Sequence, residues 1–184
     1  MNLVFIRHGQ SLWNLENKFT GWVDIDLSER GEVEAKTAGV TLIDNNFYPE
    51  ICFTSYLKRS INTAAHITEN FKNMNITYEN VKKWELNERH YGALTGLNKI
   101  EMSKKIGEDR VYEFRRSWDI KPEALDRKSP YHPINIETYK NLSENAVGPL
   151  KDLYAEYAKA LGTAAGASPD LIKALIDVVP ELLT

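Results

Sequence analysis

The chain has 184 residues, 42% hydrophobic and 27% charged, which suits one domain with a real core rather than a disordered or fibrous protein. Its formal charge of -3 argues against nucleic acid or an anionic membrane as the main partner, though not against a local anion site. A single cysteine, Cys52, excludes an internal disulfide framework. Met1–Ile6 is apolar but too short for a signal peptide, and no apolar run approaches the ~20 residues needed to span a bilayer, so a cytoplasmic location is expected.

Leu3–Ile6 is a short continuous apolar run and predicts a fully buried strand. Residues 13–26 have turn and loop character around Thr20-Gly21-Trp22. Ser28 is a good helix N-cap; Val33, Ala38, Leu42 and Ile43 follow at near-helical spacing, and Asn45-Asn46 ends the helix. Ile51–Ser55 predicts a second buried strand. Leu57, Ile61, Ala64, Ala65, Ile67 and Phe71 mark a second amphipathic helix, and Ile76–Val81 a third strand. Strand, helix, strand, helix, strand is the pattern of an α/β fold with a parallel sheet and helices on its faces.

Two short helices are predicted around 98–106 and 109–117. Residues 120–145 hold Pro122, Pro130 and Pro133 and read as an extended excursion. The composition shifts near residue 146. From there the chain has no Arg, His, Trp or Phe but eight alanines, and predicts two helices, 149–161 and 169–183. The expected division is an α/β domain over 1–145 and a helical, alanine-rich tail over 146–184 packing on it.

In open α/β sheets ligands bind beyond the carboxyl ends of strands, and His8 stands two residues past Ile6. Gly9 lets the backbone turn and brings peptide N–H groups near a ligand, and Arg7 supplies a planar cation for phosphate oxygens. A neutral imidazole can attack phosphorus and carry it as phosphohistidine, and the ordinary histidine pKa of ~6.5 leaves much of it neutral at pH 7. Of the eight arginines, Arg7, Arg59, Arg89, Arg115 and Arg116 lie in or beside motif-like segments. Scattered surface charge is the bland account of them, and a satisfied strand-end histidine the bland account of His8.

The wider pattern decides between these accounts. His8-Gly9-Gln10-Ser11-Leu12-Trp13-Asn14 is followed by Phe19-Thr20-Gly21-Trp22, Leu57-Lys58-Arg59-Ser60, Leu86-Asn87-Glu88-Arg89-His90-Tyr91-Gly92, Thr95-Gly96-Leu97-Asn98-Lys99 and Arg115-Arg116-Ser117-Trp118. This resembles the cofactor-dependent phosphoglycerate mutases, which require 2,3-bisphosphoglycerate, of the histidine phosphatase superfamily. The resemblance covers residues 1 to about 143. It implies a three-layer sandwich with a mostly parallel sheet.

The resemblance also implies roles. His8 is the phosphorylated nucleophile, Arg7 and Arg59 clamp the phosphoryl group, and Glu88 is the general acid/base. Gln10, Ser11, Asn14 and the Thr20-Gly21 backbone contact ligand oxygens. Tyr91, Lys99, Arg115 and Arg116 hold the substrate carboxylate and distal phosphate, and Arg89 and His90 complete the substrate-binding set, His90 by orienting its neighbours. The substrate is a small phosphorylated sugar acid, 2,3-bisphosphoglycerate is the priming donor, and no metal is called for. Relatives are often dimers, so a homodimer is one arrangement it allows.

The sequence departs from the family in one respect. The family carries a second histidine followed by glycine late in the chain, whereas His66, His90 and His132 here precede Ile67, Tyr91 and Pro133. The fold is therefore expected to be truncated, with the helical tail standing in place of further strands. Three functions follow as expectations: a mutase interconverting 3- and 2-phosphoglycerate in glycolysis and gluconeogenesis, an impaired phosphate-binding scaffold, or a broad histidine phosphatase.

Overall fold

The computed structural model describes residues 3–72, 74–117 and 120–140. They divide between two compact units, one ending at Asn87 and the other beginning at Glu88. The tail helices expected at 149–161 and 169–183 lie outside the described residues. Among the described residues, no helix is long and apolar enough to cross a membrane.

The first unit is organised around two long helices and a parallel strand pair. α1 (Leu12–Leu15) is a single turn capped by Ser11. α2 (Glu29–Asp44) begins at the N-cap Ser28, whose side chain accepts from the Gly31 N–H, and carries Glu29 and Glu32 where a helix dipole favours acids. It stops at Asn45-Asn46, and Asn46 takes a left-handed φ of 54°. β1 (Ile51–Thr54) leads through α3 (Lys58–Lys72) to β2 (Glu79–Lys82). The strands pair in parallel with Ile51 opposite Glu79 and Thr54 opposite Lys82, so β1–α3–β2 is a crossover unit of the kind the alternating pattern predicts. β2 lies three residues later than the expected start at Ile76.

Two expectations fail in this unit. Leu3–Ile6 forms no strand, and its four side chains are 42–45% exposed. An apolar run becomes a buried strand only when neighbours satisfy its backbone on both edges, and among the described residues the sheet contains β1 and β2 alone. The apolar face expected on α2 is also misplaced. Val33 is 62% exposed, and the buried positions are Gly31, Ala35 and Gly39, one every four residues. Small residues at that spacing let backbones approach: a Cβ on Gly39 would stand 2.6 Å from the Ile67 carbonyl oxygen of α3. α3 meets this stripe with a better conventional face, burying Ala64, Ile67 and Phe71. Leu57 just before it is buried as well, as are Phe19 and Trp22 in the loop that follows α1, where Trp22 packs at a tilt against Trp84.

The second unit, as described, holds α4 (Lys99–Ile106) and α5 (Glu108–Arg116), close to the predicted 98–106 and 109–117. Asn98 caps α4 through its side chain, accepting from the Ile100 and Glu101 N–H groups. Gly107, with φ 93°, ends α4 and starts α5, a turn that favours glycine. Val111, Phe114, Leu94 and Tyr139 are buried in this unit. The 120–140 segment is loop with one 3-10 turn at Pro133–Asn135, in keeping with the expected excursion.

Candidate active site

The segment after Ile6 is pinned peptide by peptide. The His8 Nδ1 lies 2.7 Å from the Gly9 carbonyl oxygen. A carbonyl only accepts, so Nδ1 is the protonated nitrogen and the lone pair resides on Nε2. The Gly9 N–H donates to the Thr63 hydroxyl (3.1 Å), which in turn donates to the Arg59 carbonyl (2.6 Å). The Gln10 N–H donates to Glu34 Oε2 (2.9 Å). The Gln10 carbonyl accepts from the Ser28 N–H (2.8 Å) and the Ser28 hydroxyl (3.1 Å). The first turn of α2 lies hard against this loop. A Cβ on Gly9 would meet the Gly31 carbonyl oxygen at 2.2 Å, and one on Gly31 would meet that of Gln10 at 2.1 Å.

Arg7, His8, Gln10, Asn14 and Glu34 line an open cleft of about 290 Å³. Asn14 and Ser11 hold each other: the Ser11 N–H donates to Asn14 Oδ1 (3.1 Å) and the Asn14 N–H to Ser11 Oγ (3.2 Å). With Oδ1 so engaged, the amide's NH2 end is the part of Asn14 suited to donate to an anion. Ser11 itself is fully buried and acts as the α1 cap. The Glu34 carboxyl is held below the usual carboxylate range, first by the Gln10 N–H, then by Arg30, with the Arg7 charge adding to both.

Arg59, expected to help clamp the phosphoryl group, is engaged with backbone carbonyls. It is fully buried, and its guanidinium donates to the Gly21 (2.6 Å) and Val23 (3.0 Å) carbonyls. It therefore fixes the Thr20-Gly21 turn, in which Thr20 is buried and Gly21 has a φ of 55°.

The remaining expected residues belong to the second unit. Glu88, Arg89, Arg115 and Arg116 all lie close enough to Tyr91 to act on its ionisation. Burial pushes the Tyr91 phenol strongly up, and the Glu88 charge adds to this while the three arginines oppose it. The phenol thus stays protonated and can donate. Arg115 is half-buried and Arg116 exposed, both in the last turn of α5, where cations suit the helix dipole. The Arg89 guanidinium donates to the Phe114 and Ser117 carbonyls, which flank that arginine pair. His90 Nδ1 accepts from the Gly92 N–H (3.0 Å), and burial, helped by nearby His132, lowers its pKa to about 4. Lys99 opens α4.

Three supports escaped the sequence reading: Thr63, Glu34 and Gly31. Their only signal was spacing. Thr63 follows Arg59 by one helical turn, and Gly31 and Glu34 follow the Ser28 cap by three and six residues.

A parallel crossover strand pair, with a histidine loop braced by two helices and a cationic residue lining the same cleft, defines the class as α/β. The chain belongs to the histidine phosphatase superfamily (branch 1), which matches residues 3–176 and so extends beyond the stretch to about residue 143 that carries the sequence resemblance. It is 47% identical over 160 residues to a 2,3-bisphosphoglycerate-dependent phosphoglycerate mutase of Pelagibacter ubique (strain HTCC1062), covering 87% of this chain and 66% of that protein. It is 52% identical over 141 residues to a protein of the same name from Hydrogenobaculum sp. (strain Y04AAS1), covering 76% and 56%. The chain thus spans less than two thirds of the length of either relative. A mycobacterial glucosyl-3-phosphoglycerate phosphatase structure aligns over 94% of this chain and 77% of its own with a TM-score of 0.61 at 18% identity, which shows the shared fold.

Proposed function

We propose that the chain interconverts 3- and 2-phosphoglycerate through a phosphohistidine at His8, primed by 2,3-bisphosphoglycerate. The observation that carries this reading is the 2.7 Å approach of His8 Nδ1 to the Gly9 carbonyl, which reserves Nε2 for attack in a cleft that also holds Arg7 and Asn14. The two curated relatives at 47% and 52% identity support the choice of substrate.

In the priming step, Nε2 attacks a phosphorus of the donor, the N–P bond forms, and the P–O bond breaks. The electron pair of that bond stays on the departing sugar-acid oxygen, which takes a proton from Glu88. In the return step an acceptor hydroxyl gives its proton to Glu88 while its oxygen attacks phosphorus, and the N–P electrons return to Nε2. Such a transfer depends mainly on alignment and charge, which suits arginine-rich surroundings. Arg115 and Arg116, close to the protonated Tyr91, form a cationic cluster of the kind needed for the distal phosphate and carboxylate. The cleft at His8 suits the phosphoryl end of the donor, with Arg7 and Asn14 among its lining residues. Cytoplasmic location, a place in glycolysis and gluconeogenesis, and a homodimeric state belong to the same reading.

The test is incubation with radiolabelled 2,3-bisphosphoglycerate. The expected product is an acid-labile, base-stable label that His8→Ala abolishes. Equal labelling of wild type and His8→Ala removes the proposal, and binding of the donor without any labelling leaves an impaired phosphate-binding scaffold instead. Rapid hydrolysis of many phosphomonoesters without mutase turnover would identify a broad phosphatase.

A further inference from the structure

We infer that Glu34 is a positioning residue for the His8 imidazole, acting through the peptide group between Gly9 and Gln10. The N–H of that peptide donates to Glu34 Oε2 at 2.9 Å, and its C=O faces His8 Nδ1 at 2.7 Å. N–H and C=O of one peptide are antiparallel and rigidly coupled. Anchoring one end therefore aims the other, and a carboxylate on the N–H polarises the carbonyl that receives the imidazole proton. The result is a carboxylate–peptide–imidazole relay, which sets the tautomer and angle of the ring as a carboxylate does when it bonds histidine directly.

A carboxylate lining a cleft meant for phosphate opposes anion binding and calls for a reason. Glu34 meets that cost by spending its charge locally: Oε1 accepts from Arg30 Nε at 2.8 Å, and Arg7 lines the same cleft. Gly9 makes the anchor necessary. Without a side chain it has wide φ/ψ freedom, so nothing intrinsic holds its carbonyl toward the ring. Thr63 pins the preceding peptide through the Gly9 N–H, but leaves the Gly9–Gln10 plane to Glu34. Glu34 is exposed on α2, so its replacement does not open the core.

This inference rests on the phosphohistidine reading, and the experiment separates the two. Its first readout is ring-nitrogen NMR of the full chain, which needs no turnover. Glu34→Ala should convert His8 from a single Nδ1–H tautomer to a mixture, and Glu34→Gln, which keeps an acceptor, should restore it. The second readout is phosphoryl labelling by 2,3-bisphosphoglycerate. Glu34→Ala should slow labelling at saturating donor about 100-fold, the cost of a misaligned reacting group, with half-saturation moved less than about threefold. Glu34→Gln should recover most of that rate. Arg30→Gln, which removes the ion pair and leaves the Gln10 bond, should keep the wild-type tautomer and the labelling rate at saturating donor, its loss falling on half-saturation instead. An unchanged tautomer in Glu34→Ala overturns the inference, as does Glu34→Gln failing as badly as Glu34→Ala or Arg30→Gln matching its loss. If wild type does not label but the tautomer shifts as described, the proposed function falls and the positioning role stands.

Discussion

In the first unit the histidine loop is held by backbone set directly against backbone, whereas in the second the cationic cluster is held by long side chains. Gly9 and Gly31 are in such contact that neither tolerates a Cβ, and the peptides around them are pinned by Thr63, Glu34 and Ser28 from 18 to 54 residues away. Arg115 and Arg116, by contrast, sit at the end of a nine-residue helix whose last carbonyls are gathered by one guanidinium, that of Arg89. The difference suits the roles proposed for the two clusters. An attacking nitrogen needs its line of approach set to fractions of an ångström, while a clamp on carboxylate and phosphate can adapt through flexible side chains.

The largest expected break comes at Gly31. Glycine to alanine inside a helix ordinarily stabilises by about 0.5–1 kcal/mol. Here Gly31→Ala should instead destabilise by about 3 kcal/mol in urea titration, because the new Cβ would meet a carbonyl oxygen at 2.1 Å. Labelling of His8 should fall with it. A stabilised Gly31→Ala would show that the loop yields and that the contrast between the units is overstated.

Next is the acid sensitivity of the second unit. His90 has a folded pKa of about 4 against 6.5 for the free side chain, chiefly from burial. The depressed value means that the unfolded chain binds the proton first as pH falls. The stabilisation is complete above about pH 6.5 and is lost on the way down to about 4. At about 1.4 kcal/mol per pH unit, wild type should lose roughly 2.5 kcal/mol by pH 4.5 that His90→Asn, whose amide oxygen can still accept from Gly92, does not. Parallel pH profiles of the two proteins would remove His90 as the cause.

Arg89→Met should cost about 2 kcal/mol for its charge-assisted bonds to the Phe114 and Ser117 carbonyls. It should raise the acceptor KM while leaving the rate of His8 labelling at saturating donor nearly intact, and an equal fall in labelling would overturn the separate roles proposed for the two clusters. The smallest effect is at Asn98, where Asn98→Ala removes the α4 cap and should cost about 1 kcal/mol, read by thermal melting.

Much of this was legible in the chain itself, wherever the signal is local. Ser28 as a cap, the stop at Asn45-Asn46, both short helices before Ser117 and the strand at Ile51 depend on side chains acting on their own backbone, and each appears within a few residues of its expected place. The motifs around His8, Glu88 and Arg115 identified the family because they run consecutively. The α2 face was misread because glycine adds nothing to an apolar pattern, although Gly31 and Gly39 are what allow close approach. Leu3–Ile6 was misread because hydrophobicity asks for burial but cannot supply the neighbour that provides it.

Sequence alone determined which chemistry is present: one histidine before a glycine, and arginines grouped in motifs. Tertiary structure decided how each group is used. It turned Arg59 onto the Gly21 and Val23 carbonyls, set Arg89 across the end of α5, and brought Glu34 to the peptide that faces His8. Hydrogen bonds spanning 24 to 38 residues depend on how helices and loops meet, and no local propensity encodes that meeting.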